Sequence, residues 1–230
     1  MFNALTGLRQ HTGNWPGKTV TRAEGGFEFN GVRYKLVDLP GTYSLLSASQ
    51  DEEVARDFIL FGQPDCTIVV TDATALERNL NLVLQVLEIT DRVVVAVNLM
   101  DEARRKGLEV DVRSLGRDLG VPAVPVAART GEGIHSLLGA VEGLISGEIP
   151  TKPRRVEGTP EFQHAVSELA PMIESLAPGV PNARWLAIRL LDGDTRVRQA
   201  ILSGELAELV AHQRQVDVRF SRKIALEGMQ

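Results

Sequence analysis

A chain of 230 residues with 43% hydrophobic residues is long enough to bury one good core and a small second domain, which excludes global disorder. The formal net charge of −5 argues against a nucleic-acid partner, because sequence-independent binding depends on Lys and Arg neutralising phosphates. Cys66 is the only cysteine, so a disulfide framework and a Cys-rich zinc site are excluded, and a reducing cytosol fits.

The first residues, MFNALTGL, are typical of the last turns of an amphipathic helix. Phe2 and Leu5 fall on one side of that helix, and Gly7 is a helix stop. The N-terminus has no secretory signal, and no apolar run reaches the roughly 18 to 20 residues that span a bilayer. A chain that begins inside a helix leads us to expect further sequence before it.

The stretch TGNWPGKTV, residues 12–20, imitates the end of a P-loop, G-x-x-x-x-G-K-[ST]. The spacing is one residue short, because Gly13 lies four positions before Gly17 where the motif needs five. A P-loop also follows a strand and opens a helix, whereas this stretch follows a helix pattern and precedes a hairpin pattern. We therefore predict a loop that is not a P-loop.

Alternating apolar and polar residues in GGFEFN and VRYKLVDL flank Asn30-Gly31, which predicts a β-hairpin with a type I′ turn. Three later apolar runs do not alternate and are rich in β-branched residues, as buried parallel strands are. They are CTIVVTDA (66–73), RVVVAVNL (92–99) and VPAVPVAA (121–128). Helical patterns separate them, so the sequence predicts an α/β fold with a doubly wound, mostly parallel sheet.

The segment GEIPTKPRRVEGTP, residues 147–160, is rich in Pro and Gly and interrupts this pattern. We place the domain boundary there, with one domain at 1–147 and a second at 148–230. Only helical periods follow the boundary. They are EFQHAVSELAPMIESL, ARWLAIRLLDGD, DTRVRQAILSG and ELAELVAHQRQ.

Ligands of open α/β sheets bind at the carboxyl ends of the strands, where DLPG (38–41) follows one predicted strand. Asp38 could hold a Mg²⁺-bound water there, and Gly41 would let a backbone N–H approach a terminal phosphate without a Cβ in the way. Taken alone, D-x-x-G is also the pattern of a simple β-turn.

Two further strand ends carry NLMD (98–101) and AARTGEG (127–133). The Asp101 carboxylate can accept two N–H donors from a guanine edge, and the Asn98 side chain can tie neighbouring loops together. The small residues of the second loop would let a backbone N–H face the guanine carbonyl oxygen. The alternatives are an Asp that caps the next helix and an ordinary helix-entry loop.

The order and spacing of these motifs resemble a translation-factor-related GTPase. FNALTG, GNWPGKTV, DLPGTYSL, NLMD and RWLAIRLLDGD together resemble the cytoplasmic amino-terminal region of the ferrous iron transport protein B family. The resemblance implies a GTPase domain at 1–147 and, at 148–230, a helical domain leading toward a membrane pore. It also implies GTP or GDP, Mg²⁺ and K⁺ as cofactors, the cytoplasmic face of the inner membrane as location, and homo-oligomers as a form to test.

The resemblance assigns TGNWPGKTV to the switch I loop, in which Thr19 closes over Mg²⁺ and the γ-phosphate. Thr21 is the second candidate, with a strand entry as its alternative role. Thr19 and Asp38 are the implied metal ligands, and Thr19, Gly41 and Thr42 the implied catalytic positions, although Thr42 is too short to orient the attacking water. The implied nucleotide-binding residues are Gly17, Lys18, Thr19, Val20, Thr21, Asp38, Leu39, Pro40, Gly41, Asn98, Leu99, Met100, Asp101, Ala127, Ala128 and Arg129.

The family's first strand and P-loop would stand directly before Phe2, and these 230 residues contain no such pattern. Because that loop and Mg²⁺ supply most of the grip on a triphosphate, we expect this chain to bind nucleotide poorly or not at all. A nucleotide-free interaction module is the alternative to a GTPase region. The guanine loop reads Ala127-Ala128-Arg129, where the family has Ser-Ala or Ser-Thr at its start.

Overall fold

The computed structural model describes residues 1–7, 10–15, 20–46, 49–155 and 157–211. The chain divides into two compact units, one of residues 1–59 and 64–155 and the other of residues 60–63 and 156–230. Residues 148–155 thus group with the first unit. Among the described residues, no helix is both long enough and apolar enough to cross a membrane.

The first unit opens with helix α1 (Phe2–Thr6), which ends at Gly7 in a left-handed conformation with φ of 59°, as predicted. An antiparallel sheet follows in the order β1-β2-β3, formed by β1 (Gln10–Asn14), β2 (Thr21–Phe29) and β3 (Val32–Asp38). The predicted hairpin turn is confirmed, because Asn30 and Gly31 both have positive φ, at 49° and 77°.

The sequence predicted a loop over residues 12–20. That prediction is wrong for residues 12–14, which belong to strand β1. Asn14 pairs with Thr21 in the antiparallel register, and the Trp15 N–H donates to the Val20 carbonyl over 2.9 Å. The residues QHTGN do not alternate between apolar and polar, so the local sequence does not predict a strand there. Pairing with β2 satisfies the backbone groups instead.

A parallel sheet in the order β4-β5-β6 forms the centre of the first unit, from β4 (Thr67–Asp72), β5 (Val93–Asn98) and β6 (Ala123–Pro125). Residues 93–97 of the central strand are fully buried. Burial on both faces explains the unbroken β-branched run, and the predicted α/β class with a parallel sheet is confirmed. The strands in the described ranges form two sheets, since β3 and β4 are not hydrogen-bonded to each other.

Five helices accompany this sheet among the described residues of the first unit. They are α2 (Gln50–Gly62, whose last turn groups with the second unit), α3 (Leu76–Ile89), α4 (Met100–Arg105), α5 (Val112–Leu119) and α6 (Ile134–Ser146). Leu137 of α6 is fully buried against a cluster that includes Val94 and Val126, and Tyr34 of β3 packs on the same cluster. The turn of the antiparallel hairpin also meets α6, where Asn30 donates to the Glu142 carboxylate over 2.8 Å.

The second unit contains α7 (Pro160–Leu176), α8 (Ala183–Leu191), α9 (Thr195–Leu202) and helical residues 205–211. Asp194 starts α9, since its side chain accepts from the backbone N–H groups of Arg196 and Val197. Its other oxygen accepts from Arg189 at 2.9 Å, and both side chains are largely buried, at 5% and 12% exposed. Arg189 and Asp194, both within RWLAIRLLDGD, therefore connect α8 to the start of α9.

Candidate functional site

The polar residue at the end of the central strand joins two neighbouring loops. Asn98 is the last residue of β5, and its side-chain oxygen accepts from the Ala128 N–H at 3.0 Å. Its backbone carbonyl accepts from the Ala73 N–H, 2.9 Å away, in the segment after β4. One asparagine thus links the segments that follow all three parallel strands, which agrees with the prediction that it ties loops together.

The next residues turn the chain directly from β5 into α4. Leu99 is left-handed, with φ of 63° and ψ of 31°, and occupies the N-cap position. The Met100 N–H donates to the Val126 carbonyl at 3.1 Å, which fixes the start of α4 against the strand after it. Asp101 therefore lies in the first turn of the helix and not at its N-cap, so the alternative of a simple N-cap residue does not hold.

Asp101 forms an ion pair with the loop of residues 127–133, which was also predicted to face the guanine base. An Arg129 guanidinium nitrogen donates to Asp101 Oδ2 over 2.8 Å. The Asp101 side chain is 19% exposed, whereas that of Arg129 is 75% exposed. The hydrogen bond from Arg129 is the main cause that lowers the pKa of Asp101, with smaller contributions from backbone N–H groups of the first turn. The carboxylate is thus held in its ionised, hydrogen-bond-accepting form.

The loop of residues 127–133 is closed by its own contacts. The Ala127 N–H donates to the Glu132 carbonyl at 2.9 Å, and the Thr130 hydroxyl donates to the Ala127 carbonyl at 3.1 Å. Arg104 of α4 pairs with the Glu132 carboxylate at 2.5 Å. The loop ends at Gly133, where φ is 79° and a Cβ would stand 2.1 Å from the Pro125 carbonyl oxygen. Only glycine fits this entry into α6.

The DLPG segment begins at the end of β3. Asp38 is exposed there, and partial desolvation raises the pKa of its carboxyl group above the usual value. Leu39 and Pro40 are half-buried, and a Cβ on Gly41 would meet open space, with no heavy atom within 4 Å. The surroundings of Gly41 do not by themselves demand a glycine, so its approach to a phosphate remains a prediction.

The hydroxyl of Thr42 is used locally. It donates to the Ser44 carbonyl and accepts from the Ser44 N–H at 3.1 Å. Gln85 on α3 continues this arrangement, since its side-chain oxygen accepts from the Leu45 N–H at 2.6 Å. The Thr42 hydroxyl thus closes a local turn with Ser44, and its expected inability to orient a water stays a prediction.

Three of the four predicted regions are described, and two of them are brought together. Residues 98–101 and 127–129 are joined by the contacts above. In the described parts of the chain, no hydrogen bond or ion pair joins residues 38–41 to either of them. Gly17, Lys18 and Thr19 lie outside the described residues, Val20 follows them, and Thr21 is the first residue of β2, as its alternative role of strand entry requires.

Asp38 is the predicted magnesium ligand that lies within the described residues. Asp38 offers one hard carboxylate ligand of the kind that Mg²⁺ prefers. Within the described ranges, no three His, Cys, Asp or Glu side chains are grouped so that they could hold a metal ion.

Sequence reasoning missed the partners that hold the predicted residues. The contact of Arg129 with Asp101 was not foreseen, and its predicted contact with nucleotide stays a prediction. Arg104, Glu132 and Gln85 were not singled out. Trp15 was also missed as a core residue. It is 9% exposed, its ring lies edge-on to Phe58 of α2 at 5.4 Å, and the Arg22 guanidinium lies 4.7 Å from its centre. The spacing of Asp101 and Arg129 along the chain carries no signal of their contact.

Comparison with known families decides the class of this arrangement. Residues 1–141 match the family model described as ferrous iron transport protein B, and residues 159–224 match the model described as FeoB cytosolic helical domain. The chain belongs to the ferrous iron transport protein B family. The FeoB match covers both the parallel-sheet region with its strand-end residues and most of the helical region.

Two curated relatives illustrate the similarity to FeoB. The Fe(2+) transporter FeoB of Salmonella typhimurium is 39% identical over 214 residues, which is 90% of this chain and 27% of the relative. That of Escherichia coli K12 is 38% identical over 204 residues, or 84% of this chain and 25% of the relative. The chain thus spans about a quarter of the length of these FeoB relatives.

Solved structures of FeoB share the architecture of both units. The apo cytosolic domain of T. maritima FeoB has a TM-score of 0.79 at 31% identity, covering 96% of this chain and 91% of that chain. Its GDP form II has a TM-score of 0.80 at 31% identity, covering 96% and 89%. The cytosolic domain of L. pneumophila FeoB has a TM-score of 0.79 at 32% identity, covering 93% and 88%. The chain is therefore similar to a FeoB G domain followed by a FeoB helical domain.

Proposed function

We propose that this chain is the guanine-nucleotide-sensing regulatory region of a ferrous iron transporter, with its GTPase domain in the first compact unit and its helical domain in the second. The observation that carries the proposal is the hydrogen bond between Asn98 and Ala128. It joins the loop of the predicted base-reading carboxylate to the small-residue loop, as a site that encloses a purine requires. The GDP and GMPPNP forms of T. maritima FeoB support guanine nucleotide as the ligand.

Asp101 reads the base in this proposal. Its ionised carboxylate has two oxygens that accept the ring N–H and the exocyclic amino group of guanine. Adenine has an acceptor nitrogen in place of the ring N–H and a C–H in place of the neighbouring amino group, so both hydrogen bonds are lost and the carboxylate is left facing an acceptor. Ala128 is half-buried and has no side-chain atom beyond Cβ, so it is the proposed neighbour of the purine, whereas the Ala127 side chain is buried.

The phosphate half of the site is assigned to Asp38, Gly41 and Thr19. Asp38 would hold a Mg²⁺ water and the Gly41 N–H would face the γ-phosphate, whose charge Mg²⁺ neutralises when it is bound. The 230 residues contain no G-x-x-x-x-G-K-[ST], so we propose that phosphates add little to the affinity of this polypeptide. Hydrolysis in the complete transporter would be slow, since Thr42 engages Ser44, and K⁺ is the cation proposed to assist it.

The proposed partner of the helical domain is the membrane pore of the same transporter, with this region on the cytoplasmic face of the inner membrane. The relatives that carry the name Fe(2+) transporter are about four times as long as the matched segment, which gives room for such a pore. Switch residues that tighten around a γ-phosphate and relax after hydrolysis would pass the nucleotide state to that partner.

The base-reading step can be tested separately from the phosphate grip. Saturation-transfer NMR with guanosine and with adenosine, each without phosphates, measures whether the purified chain prefers guanine. We expect guanosine to bind weakly, adenosine not to bind, and Asp101→Asn to abolish the guanosine signal. Glu109→Gln is the matched control, because Glu109 is an exposed acid in the segment after the same helix, away from the described contacts of the site.

Adding GTP with Mg²⁺ tests the phosphate half. Affinities for GTP and guanosine that agree within about tenfold would support a missing phosphate grip, since each factor of ten is only about 1.4 kcal/mol. Micromolar binding of GTP would refute that part while leaving the base site intact. If neither GTP nor guanosine binds to the wild-type chain or to Asp101→Asn, the result would favour a nucleotide-free interaction module.

A further inference from the structure

We propose that Arg129 is an internal competitor of the guanine base, which occupies the carboxylate of Asp101 when the site is empty and must leave before a base can bind. This inference rests on the proposed role of Asp101 as the base-reading residue. It adds an affinity-determining residue that acts against the ligand. The sequence predicted that Arg129 contributes to nucleotide binding. In this proposal Arg129 lowers the affinity for the base.

The competition follows from the chemistry of the two donors. A guanidinium and a guanine edge both present adjacent N–H groups in a plane, and both are matched to the two oxygens of a carboxylate. Arg129 already donates to Asp101 Oδ2 at 2.8 Å. Asp101 is only 19% exposed, so little of its surface remains open to a second planar donor while the guanidinium is in place. Base and arginine therefore exclude each other.

The rest of the loop is held independently of this ion pair. Ala127 is fixed by the Glu132 carbonyl, Ala128 by Asn98, and the Glu132 carboxylate by Arg104 on α4. The Arg129 side chain itself is 75% exposed. Because its anchor points lie on either side of it in the loop, Arg129 can swing into solvent without opening the loop that the base would contact.

The size of the effect is limited by exposure. An ion pair with one solvated partner contributes little to stability, so its removal should raise base affinity about two- to fivefold. The pair is also screened by salt, whereas hydrogen bonds between Asp101 and a neutral guanosine depend less on ionic strength. Higher salt should therefore increase the affinity of the wild-type chain for guanosine, in contrast to the usual loss of affinity for charged ligands.

Arg129→Ala is the decisive variant, and Arg104→Ala is its matched control, because Arg104 forms the other ion pair between α4 and the same loop without touching Asp101. Guanosine binding is measured by saturation-transfer NMR at low and at high salt, with the 230-residue chain. We expect Arg129→Ala to bind about two- to fivefold more tightly than wild type and to lose the salt enhancement. Arg104→Ala should keep that enhancement.

Two results separate failure of this inference from failure of the proposed function. If Asp101→Asn abolishes guanosine binding while Arg129→Ala binds equally or more weakly than wild type, Arg129 is neutral or assists the base, and the inference is overturned. If Asp101→Asn leaves guanosine binding unchanged, Asp101 does not read the base and both proposals fall. Tighter binding by both arginine variants would assign the effect to loop release, which also overturns the competitor.

Discussion

The side-chain oxygen of Asn98 and the backbone N–H of Ala128 form a 3.0 Å hydrogen bond between residues that are 30 positions apart in the chain. Asn98 ends the central parallel strand and Ala128 follows the adjacent one, so the two meet because parallel strands end at the same edge of the sheet. Both residues are half-buried, which limits the access of water that could replace the bond.

Removing this hydrogen bond should loosen the loop of residues 127–133. We expect Asn98→Ala to lower the free energy of unfolding by about 1 kcal/mol, since the Ala128 N–H loses its partner. Urea denaturation measures the change, and hydrogen exchange of the Ala128 amide reports it locally. Asn98→Asp keeps an oxygen acceptor at the same place and should retain slow exchange. Equal exchange rates in Asn98→Ala and wild type would contradict the prediction.

Gly131 and Gly133 both precede α6 with a positive φ, but only Gly133 should be impossible to replace by a larger residue without a large loss of stability. Gly133→Ala would place a methyl group 2.1 Å from the Pro125 carbonyl oxygen, in addition to a φ of 79°. Gly131→Ala has a similar φ of 81° but meets no heavy atom within 4 Å, so it should cost only the roughly 1–2 kcal/mol of a left-handed conformation. Thermal unfolding should show the larger loss in Gly133→Ala. Similar losses of stability in both variants would show that the close approach to the Pro125 carbonyl oxygen does not destabilise Gly133→Ala.

The core beneath the candidate site should be sensitive to the loss of volume. Leu137 is fully buried and packs in the cluster that contains Val126, next to the loop. We expect Leu137→Ala to cost about 2–5 kcal/mol because it leaves a cavity. Ile145 lies on the same helix but is 43% exposed, so Ile145→Ala should change stability by only about 0.5 kcal/mol. Urea denaturation of the two variants tests this difference, and equal losses would argue against the packing described.

The ion pair of Asp101 with Arg129 should make a small, pH-dependent contribution to stability. Because the pKa of Asp101 lies below its ordinary value of 3.8 in the folded chain, the contribution is present above that value and is lost as pH falls through the folded pKa. Arg129→Ala should therefore be slightly less stable than wild type at neutral pH, and the difference should vanish in acid. Carboxyl NMR should show the pKa of Asp101 rising in the variant. A difference in stability that persists below the folded pKa would point to another cause.

The corner of the second unit should depend on its buried charge pair. Arg189→Met leaves Asp194 as a buried acid without the cation to which it is bonded, and the expected loss is about 3–5 kcal/mol. Asp192→Asn is the matched control, since Asp192 also contacts Arg189 but is 50% exposed. Helical circular dichroism during urea denaturation measures both variants. Comparable losses would show that burial of Asp194 is not what makes the pair important.

The sequence alone was sufficient where structure depends on neighbouring residues. The Asn30-Gly31 turn, the stop at Gly7 and the apolar run around residues 93–97 follow from local backbone preferences and from burial on both faces of a strand. The position of Asn98 at the end of a strand follows as well, because a hydrophobic run ends where polar residues begin. The motifs in the sequence also indicate the family.

Only the tertiary structure decided which partners these residues have. Strand β1 forms because β2 is available to pair with it, and its own letters carry no strand pattern. Asp101 meets Arg129, and Arg104 meets Glu132, because α4 and the loop after β6 start from neighbouring strands of one sheet. Contacts of this kind depend on distance in space and not along the chain, so the sequence indicated Asp101 as a candidate site residue while the fold placed Arg129 against its carboxylate.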